Sequence, residues 1–550
     1  MNSNPEYQGQ PISQSELFTQ VPRVTLLART QTVLDPDSFS KEDWQNLNAA
    51  TTVAGESART CYAPGLITPL DYITASAKHR LITDSVVKST REAGHLSTRQ
   101  HVYYLFALEG VSRNIVYSVL HSYPFHNSDQ VSQRYTPMKE SGLVLPILED
   151  RRLNSVFREA ASSLVTGYQH LTDLLIPLAQ EFISKRFPSR RNLSWQKKIN
   201  AEAIKKAQEI GRYLLPLAMG ANLYHSISAL TLMRYHRLSR FYRAQPEAHL
   251  LIQSMIDQVA SVDPTILNEL DEPLDPDLSL NYPLPYFNPA EPYEASDIAD
   301  SYLAGLTSRL DLTDINLSER LASAVRLTIG RNLTNHEAID LVLNPAKNKL
   351  LASTHGEMTM DQLSQALNQV SFSATVSLSH SADSQLQRHR GFNHTQPLGL
   401  AIPRLKEDIV IPQLLNYSQE ALNYYLDLQQ QNIQTMNLLR EAGVSLEALT
   451  YLQTNATRIR KRINGPLGAF HHWIKIRTCL TAQEEIYGLA VSLAQQLRHL
   501  APGIAQYFDK PAPCGVRHQA GLTPLCPEGD RYCGVPIWKE SIADYPKRDI

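Results

Sequence analysis

The chain has few cysteines, no excess of either charge and no glycine-rich nucleotide fingerprint. Only five of its 550 residues are cysteine, which excludes a disulfide framework. Lys and Arg number 52 against 54 Asp and Glu, so binding of nucleic acid through a general basic surface is excluded as well. A Gly-x-Gly-x-x-Gly sequence is absent, and with it the usual Rossmann site. What remains is a globular protein, whose 43% apolar residues suffice for packed cores.

Targeting and membrane signals are also lacking. The opening sequence MNSNPEYQGQPISQSE is polar, with neither a basic nor an apolar region, so we expect a cytoplasmic protein. The stretch from Tyr213 to Met233 has no formal charge, but it contains Pro216, Asn222 and His225. A lipid-facing helix would have to hide those polar groups. The stretch therefore predicts a buried helix rather than a membrane span.

The length and the order of the predicted elements indicate a tandem organisation. A chain of 550 residues exceeds one compact core. In each half a strand leads into a helix with charged residues, and long helices follow. The predicted segments are strands at 21–30, 101–110 and 372–380 and helices at 76–90, 151–255, 316–345 and 418–500. The recurrence predicts an internal duplication.

The domain boundaries follow from where periodic structure breaks. The sequence PTILNELDEPLDPDLSLNYPLPYFNPAEP is dense in Pro, Asp and Asn and is typical of a linker. The predicted parts are a disordered tail at 1–20, a first copy at 21–265, a linker at 266–292, a second copy at 293–508 and a Cys-rich appendage at 509–550. A basic run at 185–198 is interpreted as an exposed insertion of the first copy, with a polyanion site as the alternative.

Two short charged motifs carry the chemistry. Arg388-His389-Arg390 follows a strand-to-helix pattern, and its forked donors match a phosphate or a carboxylate. A solvated surface triplet is the alternative. In the first half the sequence DQVSQRY (129–135) offers backbone N–H groups, a hydroxyl and one arginine, which together can hold a phosphate. An ordinary polar loop is the alternative there.

Together the two motifs resemble the signature of the flavin-dependent thymidylate synthases, where one continuous motif holds both parts. Here the first copy keeps Ser-x-Arg-Tyr at 132–135 but has LHS (120–122) in place of Arg-His-Arg. The second copy keeps Arg-His-Arg but continues GFNHTQPLGL, without Ser-x-Arg-Tyr. Further segments that resemble the family are SARTCY (57–62), GHLSTRQH (94–101) and WIKIRTCLTAQEEI (473–486). Each copy thus lacks what the other retains.

The resemblance implies a fold and an activity. The implied fold is α+β, with two tandem copies of a flavin-dependent thymidylate synthase-like domain, each an antiparallel sheet with long helices. The implied activity is that of a methyltransferase: reductive methylation of dUMP to dTMP, with methylenetetrahydrofolate as carbon donor, FAD as flavin and NADPH as reductant. Since the family forms homotetramers, a homodimer of this chain would reproduce the four copies. Neither nucleic acid nor a membrane is an expected partner.

The resemblance also implies a composite site with residues from both copies. The implied substrate-binding residues are Gln130, Val131, Ser132, Gln133, Arg134, Gln385, Arg388, Arg460 and Arg477. The implied cofactor-binding residues are His95, Ser97, Gln100, His389, Arg390 and Gly391. Arg477 is also the catalytic candidate, because its charge can stabilise charge that develops on the pyrimidine ring.

Two positions depart from the family pattern and leave alternatives open. Gln100 and Gln130 stand where the family has carboxylates. Gln130 can hydrogen-bond a pyrimidine edge but cannot act as a base. The first alternative is therefore a related C5-methylase acting on another pyrimidine nucleotide, such as UMP. The second is a non-catalytic relative that binds a nucleotide or a flavin.

The C-terminal appendage suggests a metal site. Cys514, His518, Cys526 and Cys533 offer three thiolates and an imidazole within twenty residues. Such a set can close a tetrahedral zinc site. The alternative is free thiols in a segment rich in Pro and Gly.

Overall fold

The computed structural model describes residues 17–121, 125–187, 193–241, 246–271, 295–312, 316–395 and 400–548. The strands are β1 (Arg23–Arg29), β2 (Tyr103–Ser112), β3 (Asn127–Gln130), β4 (Gly220–Ser228), β5 (Ser308–Leu312), β6 (Ser371–Ser379), β7 (Asn393–His394) and β8 (Arg458–Pro466). The helices are α1 (Lys41–Leu47), α2 (Ala50–Thr60), α3 (Pro69–Thr74), α4 (Ala77–Glu92), α5 (Arg113–Ile115), α6 (Arg151–Arg186), α7 (Leu193–Gly211), α8 (Ala229–Phe241), α9 (Pro246–Ala260), α10 (Ala295–Leu303), α11 (Leu317–Ile329), α12 (Asn335–Leu343), α13 (His380–Leu386), α14 (Leu405–Asp408), α15 (Gln419–Glu441), α16 (Leu446–Leu449), α17 (Leu467–Arg477), α18 (Glu484–Leu500), α19 (Pro502–Ala505) and α20 (Pro513–Gln519).

The strands form two antiparallel four-stranded sheets with the same topology. The order is β1-β2-β4-β3 in one sheet and β5-β6-β8-β7 in the other. In β2 the side chains of Tyr104, Phe106 and Leu108 alternate into the core, as the two-residue period of a strand requires. The matching topologies confirm the α+β fold of two tandem copies.

The two copies are related by a pseudo-twofold axis. It passes near the antiparallel bridge between Pro216 of the first copy and Thr454 of the second. The Leu217 N–H donates to Gln453 O at 2.7 Å, and reciprocally the Asn455 N–H donates to Leu215 O at 2.9 Å. Such an exchange is what equivalent segments make across a twofold axis. The two copies therefore join through backbone hydrogen bonds as well as through side chains.

A buried glutamate repeats the same symmetry at the end of the central strand of each copy. The Glu247 carboxylate accepts from the Ser112 N–H at 2.7 Å, from Ser112 Oγ at 2.6 Å and from Tyr451 Oη of the other copy at 2.8 Å. The second copy repeats the arrangement with Glu485, Ser379 and Tyr213. Each strand end is thus held by its own copy and by the other.

Three main hydrophobic clusters stabilise the described parts of the chain. One lies under the first sheet, one under the second, and a third is shared between the copies. In the shared cluster α6 packs against α15, and Gly167 permits the close approach because a Cβ there would overlap Leu428. The shared core gives the two copies one fixed relative orientation.

Two predicted helical stretches turn out to contain strands. The stretch Tyr213 to Met233 is not one helix: it contains β4 and only the first residues of α8. In the same way β8 interrupts the helices predicted at 418–500. Both are inner strands in regions where helical residues dominate, so their two-residue alternation is hidden among stronger helical periods. Among the described helices, none is long and apolar enough to cross a membrane.

The ends of the predicted domains are packed rather than loose. Residues 1–16 of the predicted tail lie outside the described residues, but Phe18 is only 3% exposed and its ring lies 6.0 Å from that of Tyr451. The predicted linker begins inside a 3-10 helix (Pro264–Glu269), and Glu269 forms a buried ion pair with Arg99 at 3.0 Å. Residues 272–292 lie outside the described part. The appendage packs against the core of the second copy through Val516 and Ile542, among others.

Candidate active site

A cavity of about 310 Å³ lies between the two copies. The first copy lines it with α5, the segment after β3 and the residues before β4, and the second copy with α13 and the end of α17. None of the described residues lining it is acidic, whereas five are arginines. These are Arg113, Arg134, Arg212, Arg388 and Arg477. An acid-free cavity with this charge suits an anion that accepts several forked donors.

The arginines repel one another across the cavity. Burial lowers the pKa of Arg113 to about 10, with Arg212 and Arg388 adding to the effect. Burial likewise lowers the pKa of Arg477 to about 10, and Arg388 and Arg134 contribute. Both side chains stay charged near neutrality. An anion in the cavity would relieve this repulsion and raise both pKa values again.

In the second copy, α13 and α17 together position Arg477. Ser379 caps α13 by accepting from the Ala382 N–H at 3.1 Å, and Gln385 lies in the last turn of the helix, with Arg388 just beyond its end. Arg477 donates to Gln385 Oε1 at 3.2 Å and to Gln385 O at 3.1 Å. Its Nε donates to Nε2 of His389 at 2.9 Å. Burial lowers the pKa of His389 well below its usual range, so its ring is neutral and can accept.

In the first copy, the segment after β3 is docked on the second copy. Gln133 is buried, and its Oε1 accepts from Asn455 Nδ2 at 2.9 Å. Arg134 donates to Thr481 O at 3.4 Å and forms an ion pair with Glu209 behind the cavity. The two halves of the split motif, Ser-x-Arg-Tyr of the first copy and Arg-His-Arg of the second, therefore lie close together in one chain.

Several buried polar atoms around the cavity have no hydrogen-bond partner in the described part of the chain. They are Arg113 Nε, Gln130 Oε1, Gln133 Nε2, Ser381 Oγ and Gln385 Nε2. Leaving a buried donor or acceptor unsatisfied costs about 1–3 kcal/mol each. A polar ligand that offered both donors and acceptors would recover part of that cost.

A second cavity of about 310 Å³ adjoins the first. It lies against β3 and β4 of the first copy, and Arg390 of the second copy reaches into it, donating to Asn127 Oδ1 at 2.8 Å. His126 lines this cavity and stacks on His121 of the first cavity, with ring centroids 4.8 Å apart. Burial lowers the pKa of His121 to about 3, with His126 adding to the effect, so this ring is neutral. A stacked imidazole pair thus separates the two cavities.

The structure brings together most of the predicted substrate residues. Those that line the first cavity are Gln130, Val131, Ser132, Gln133, Arg134, Gln385, Arg388 and Arg477. Arg460 lines neither of the two cavities. Its guanidinium lies on β8 and is paired with Asp300 at 2.6 Å and Asp408 at 2.8 Å.

The predicted cofactor residues are more dispersed. Gln100 and Arg390 line the second cavity, and His389 contacts Arg477 of the first. Gly391 serves packing, because a Cβ there would lie 2.8 Å from that of Ala469. His95 and Ser97 are exposed at the start of a 3-10 helix (Leu96–His101) and line neither cavity.

Zinc binding by the C-terminal appendage stays a prediction. Among the described residues, which include all four, no group of three or more His, Cys, Asp or Glu side chains is arranged to hold a metal ion. Cys514 is packed in the core of the second copy, and burial raises the pKa of its thiol to about 12. His518 is exposed. Cys526 and Cys533 add to this shift of the Cys514 pKa, so the three predicted thiols lie near one another.

Sequence reasoning missed three residues that shape the first cavity: Arg113, Arg212 and Asn455. Asn455 bridges the copies, because its Nδ2 donates to Arg212 O at 2.9 Å in addition to Gln133. Arg113 directly follows the capping Ser112, just as His380 follows Ser379 in the second copy. That parallel between the two strand ends was the available signal.

The comparisons with known proteins agree with this architecture. The model of the family described as thymidylate synthase complementing protein matches residues 45–265 and 312–503. These two segments make up most of the chain, one in each copy. The chain therefore belongs to this family and contains its domain twice.

Each individual relative matches less than half of the chain. A flavin-dependent thymidylate synthase of Clostridium tetani (strain Massachusetts / E88) is 27% identical over 216 residues, which are 39% of this chain and 79% of the relative. One of Mycobacterium sp. (strain JLS) is 32% identical over 27% of this chain and 55% of the relative, so the chain spans about half the length of that relative. One of Mycobacterium tuberculosis (strain ATCC 25177 / H37Ra) is 25% identical over 45% of this chain and 90% of the relative.

A solved structure is also similar. Thymidylate Synthase X of Helicobacter pylori, with FAD and dUMP, shares 16% identity over 45% of this chain and 99% of its own, with a TM-score of 0.28. The assignment to the family rests on the two matched sequence segments.

Proposed function

We propose that the protein is a flavin-dependent thymidylate synthase that converts dUMP to dTMP at the first cavity. The observation that carries this proposal is the acid-free cavity between the copies, which is lined by five arginines and by both halves of the split motif. The names of the curated relatives support the reaction. In this account one chain supplies every residue of the nucleotide site.

The chain's own residues suit a nucleoside monophosphate. Arg134 and Arg388 approach from opposite copies and can donate to one dianionic phosphate. Gln130 Oε1 and Gln385 Nε2 are a buried acceptor and a buried donor without partners in the described residues, and a pyrimidine ring offers complementary edges. Charge and hydrogen bonding therefore both match dUMP.

Arg477 is the proposed catalytic residue. Gln385 and His389 hold its guanidinium from two sides, which fixes its orientation before substrate binds. A preorganised cation in a partly buried site stabilises negative charge that develops on the pyrimidine ring. The neutral His389 adds no competing charge.

FAD fits the second cavity by the chemistry of its lining. Arg390 offers a forked donor for a pyrophosphate, and hydroxyls of Ser226, Ser228 and Thr231 surround the space. Reduced flavin, when bound, would supply the hydride, with methylenetetrahydrofolate as carbon donor and NADPH as reductant. The chain's own task is to orient the flavin beside the nucleotide, across the stacked His121 and His126. A homodimer, which would contain four copies, is the proposed assembly.

The test is turnover by the purified full-length protein. Incubation with FAD, dUMP, methylenetetrahydrofolate and NADPH should give dTMP, detected by chromatography, and omission of any one component should abolish it. UMP is tested in parallel, because Gln100 and Gln130 replace family carboxylates. Methylation of UMP alone would favour a C5-methylase of another nucleotide. Tight binding of nucleotide or flavin without turnover would favour a non-catalytic relative.

A further inference from the structure

The last described residues, 542–548, run along α18 toward the first cavity. Ile542 O accepts from Gln495 Nε2 at 2.9 Å, and Pro546 O accepts from Tyr487 Oη at 2.8 Å. Gln495 lies two turns further along α18 than Tyr487, so the segment runs antiparallel to the helix and ends near its N-terminus. The family match ends at residue 503, so this segment lies outside the matched domain.

Arg548 ends this path in a buried position behind the cavity. Its side chain is 1% exposed, and its Nη2 donates to Glu209 Oε1 at 3.0 Å. Its Nε and Nη1 have no hydrogen-bond partner in the described part of the chain. Glu209 is the same carboxylate that pairs with Arg134 through its other oxygen. Arg548 is thus linked to Arg134 of the first cavity through the carboxylate that both side chains share.

Among the described residues, cationic side chains outnumber carboxyl groups around Glu209, even when Glu484, which interacts with both Glu209 and Arg548, is counted. Lys206 Nζ lies 3.7 Å from the carboxylate, so three cationic side chains share one buried anion. Burial alone would raise the pKa of Glu209, but Lys206, Arg548 and Arg134 lower it well below its usual range. Because several cations share the negative charge of Glu209, this carboxylate neutralises the charge of Arg134 only in part.

We propose that Arg548 is a positioning residue that sets the affinity of the site for phosphate. By occupying one oxygen of Glu209, Arg548 leaves part of the charge on Arg134 available to an anion in the cavity. Without it, Glu209 would neutralise Arg134 more fully, and the anion would compete with a buried carboxylate for the same guanidinium. The identity of that anion as dUMP rests on the proposed function, whereas the charge argument holds for any phosphate.

The test compares two neighbouring residues of the same segment. Arg548→Gln removes the buried charge, Arg548→Lys retains it, and Lys547→Gln removes an exposed charge as the matched control. Calorimetric titration of dUMP into the FAD-loaded full-length protein should show affinity lowered about three- to tenfold by Arg548→Gln, a coupling typical of neighbouring charged residues. Arg548→Lys should restore most of the affinity, and Lys547→Gln should match the wild type. In turnover, Arg548→Gln should raise the KM for dUMP and leave kcat nearly unchanged.

Several outcomes would overturn the proposal. Equal affinities for Arg548→Gln and Lys547→Gln would do so. The proposal would also be overturned if Arg548→Gln weakened binding as much in the Arg134→Ala background as in the wild type, because Arg548 would then act independently of Arg134. If Arg548→Gln does not fold, Arg548→Met retains the apolar stem and must still weaken binding. Inorganic phosphate is titrated as a second probe. Loss of phosphate affinity on Arg548→Gln in a protein that does not bind dUMP would retain the positioning role and reject the proposed substrate.

Discussion

Removing one arginine from each copy should weaken the binding of the same dUMP molecule, by unequal amounts. The Arg134 side chain is 17% exposed, so loss of its charge-assisted phosphate contact should cost about 1.5–3 kcal/mol, or about tenfold to a hundredfold in affinity. Arg388 is exposed, and solvent screening reduces the expected loss to about 0.5–1.5 kcal/mol, or about two- to tenfold. Arg134→Ala should have the larger effect for a second reason: it leaves the buried Glu209 with one cation fewer behind the phosphate.

The assay is calorimetric titration of dUMP into the FAD-loaded wild type, Arg134→Ala, Arg388→Ala and the double variant. The double variant should lose less than the sum of the single losses, because both residues hold one ligand. Arg462→Ala is the control: this β8 arginine is 51% exposed, pairs with Asp311 and lines neither cavity. Unchanged dUMP affinity in Arg134→Ala would refute the reasoning, since the first copy would then be only a scaffold.

Three further predictions follow from the geometry of the two cavities. Arg477→Gln should lower kcat by about 10²–10³ with a smaller change in the KM for dUMP, measured by steady-state dTMP formation, because it removes a preorganised charge. Arg390→Ala should weaken FAD binding more than dUMP binding, measured by flavin fluorescence in the presence and absence of dUMP, because Arg390 lines only the second cavity. Burial lowers the pKa of Lys206 to about 8, so this charge is present below pH 8 and is lost above it. The affinity for dUMP should therefore fall as the pH rises through 8, where the phosphate is already dianionic. Lys206→Gln should remove this step in the same titrations but keep any change near pH 7, where Glu484 beside Glu209 and Arg548 ionises, since burial raises its pKa to about 7.

The duplication of the domain and the sharing of one site by the two motifs could be predicted from the sequence, because both are read from short local patterns. The segments of β2 and β6 are rich in β-forming residues, and both strands lie close to their predicted positions in the chain. Arg134 and Arg388 were predicted to share a site, and they line one cavity. Strands β4 and β8 were hidden, since each is an inner strand in a part of the sequence where helical patterns dominate. Pairing with neighbouring strands, rather than local periodicity, makes them strands.

Residues whose surroundings differ from the sequence-based expectation, or that were missed, owe their positions to contacts distant in sequence. Arg460 carries the family pattern, but Asp300 and Asp408 hold its guanidinium away from the cavities. Arg212 is placed by the junction of the two copies, and Arg548 by a segment that returns along α18. Cys514 is packed in the core of the second copy, with Cys526 and Cys533 against the same core. None of these contacts is visible in a local sequence window.

Complementation between variants tests the central claim, that one chain builds the whole nucleotide site, most directly. Arg134→Ala and Arg388→Ala are co-expressed with different tags, mixed oligomers are isolated, and dTMP formation is compared with each variant alone. If both arginines of a site belong to one chain, every site in the mixture lacks one of them, and activity should stay at the level of the single variants. If the site forms between chains, each isolated mixed dimer would contain one site with both arginines and one with neither, so about half of the wild-type sites would be restored. Recovery of activity to that level would contradict the account.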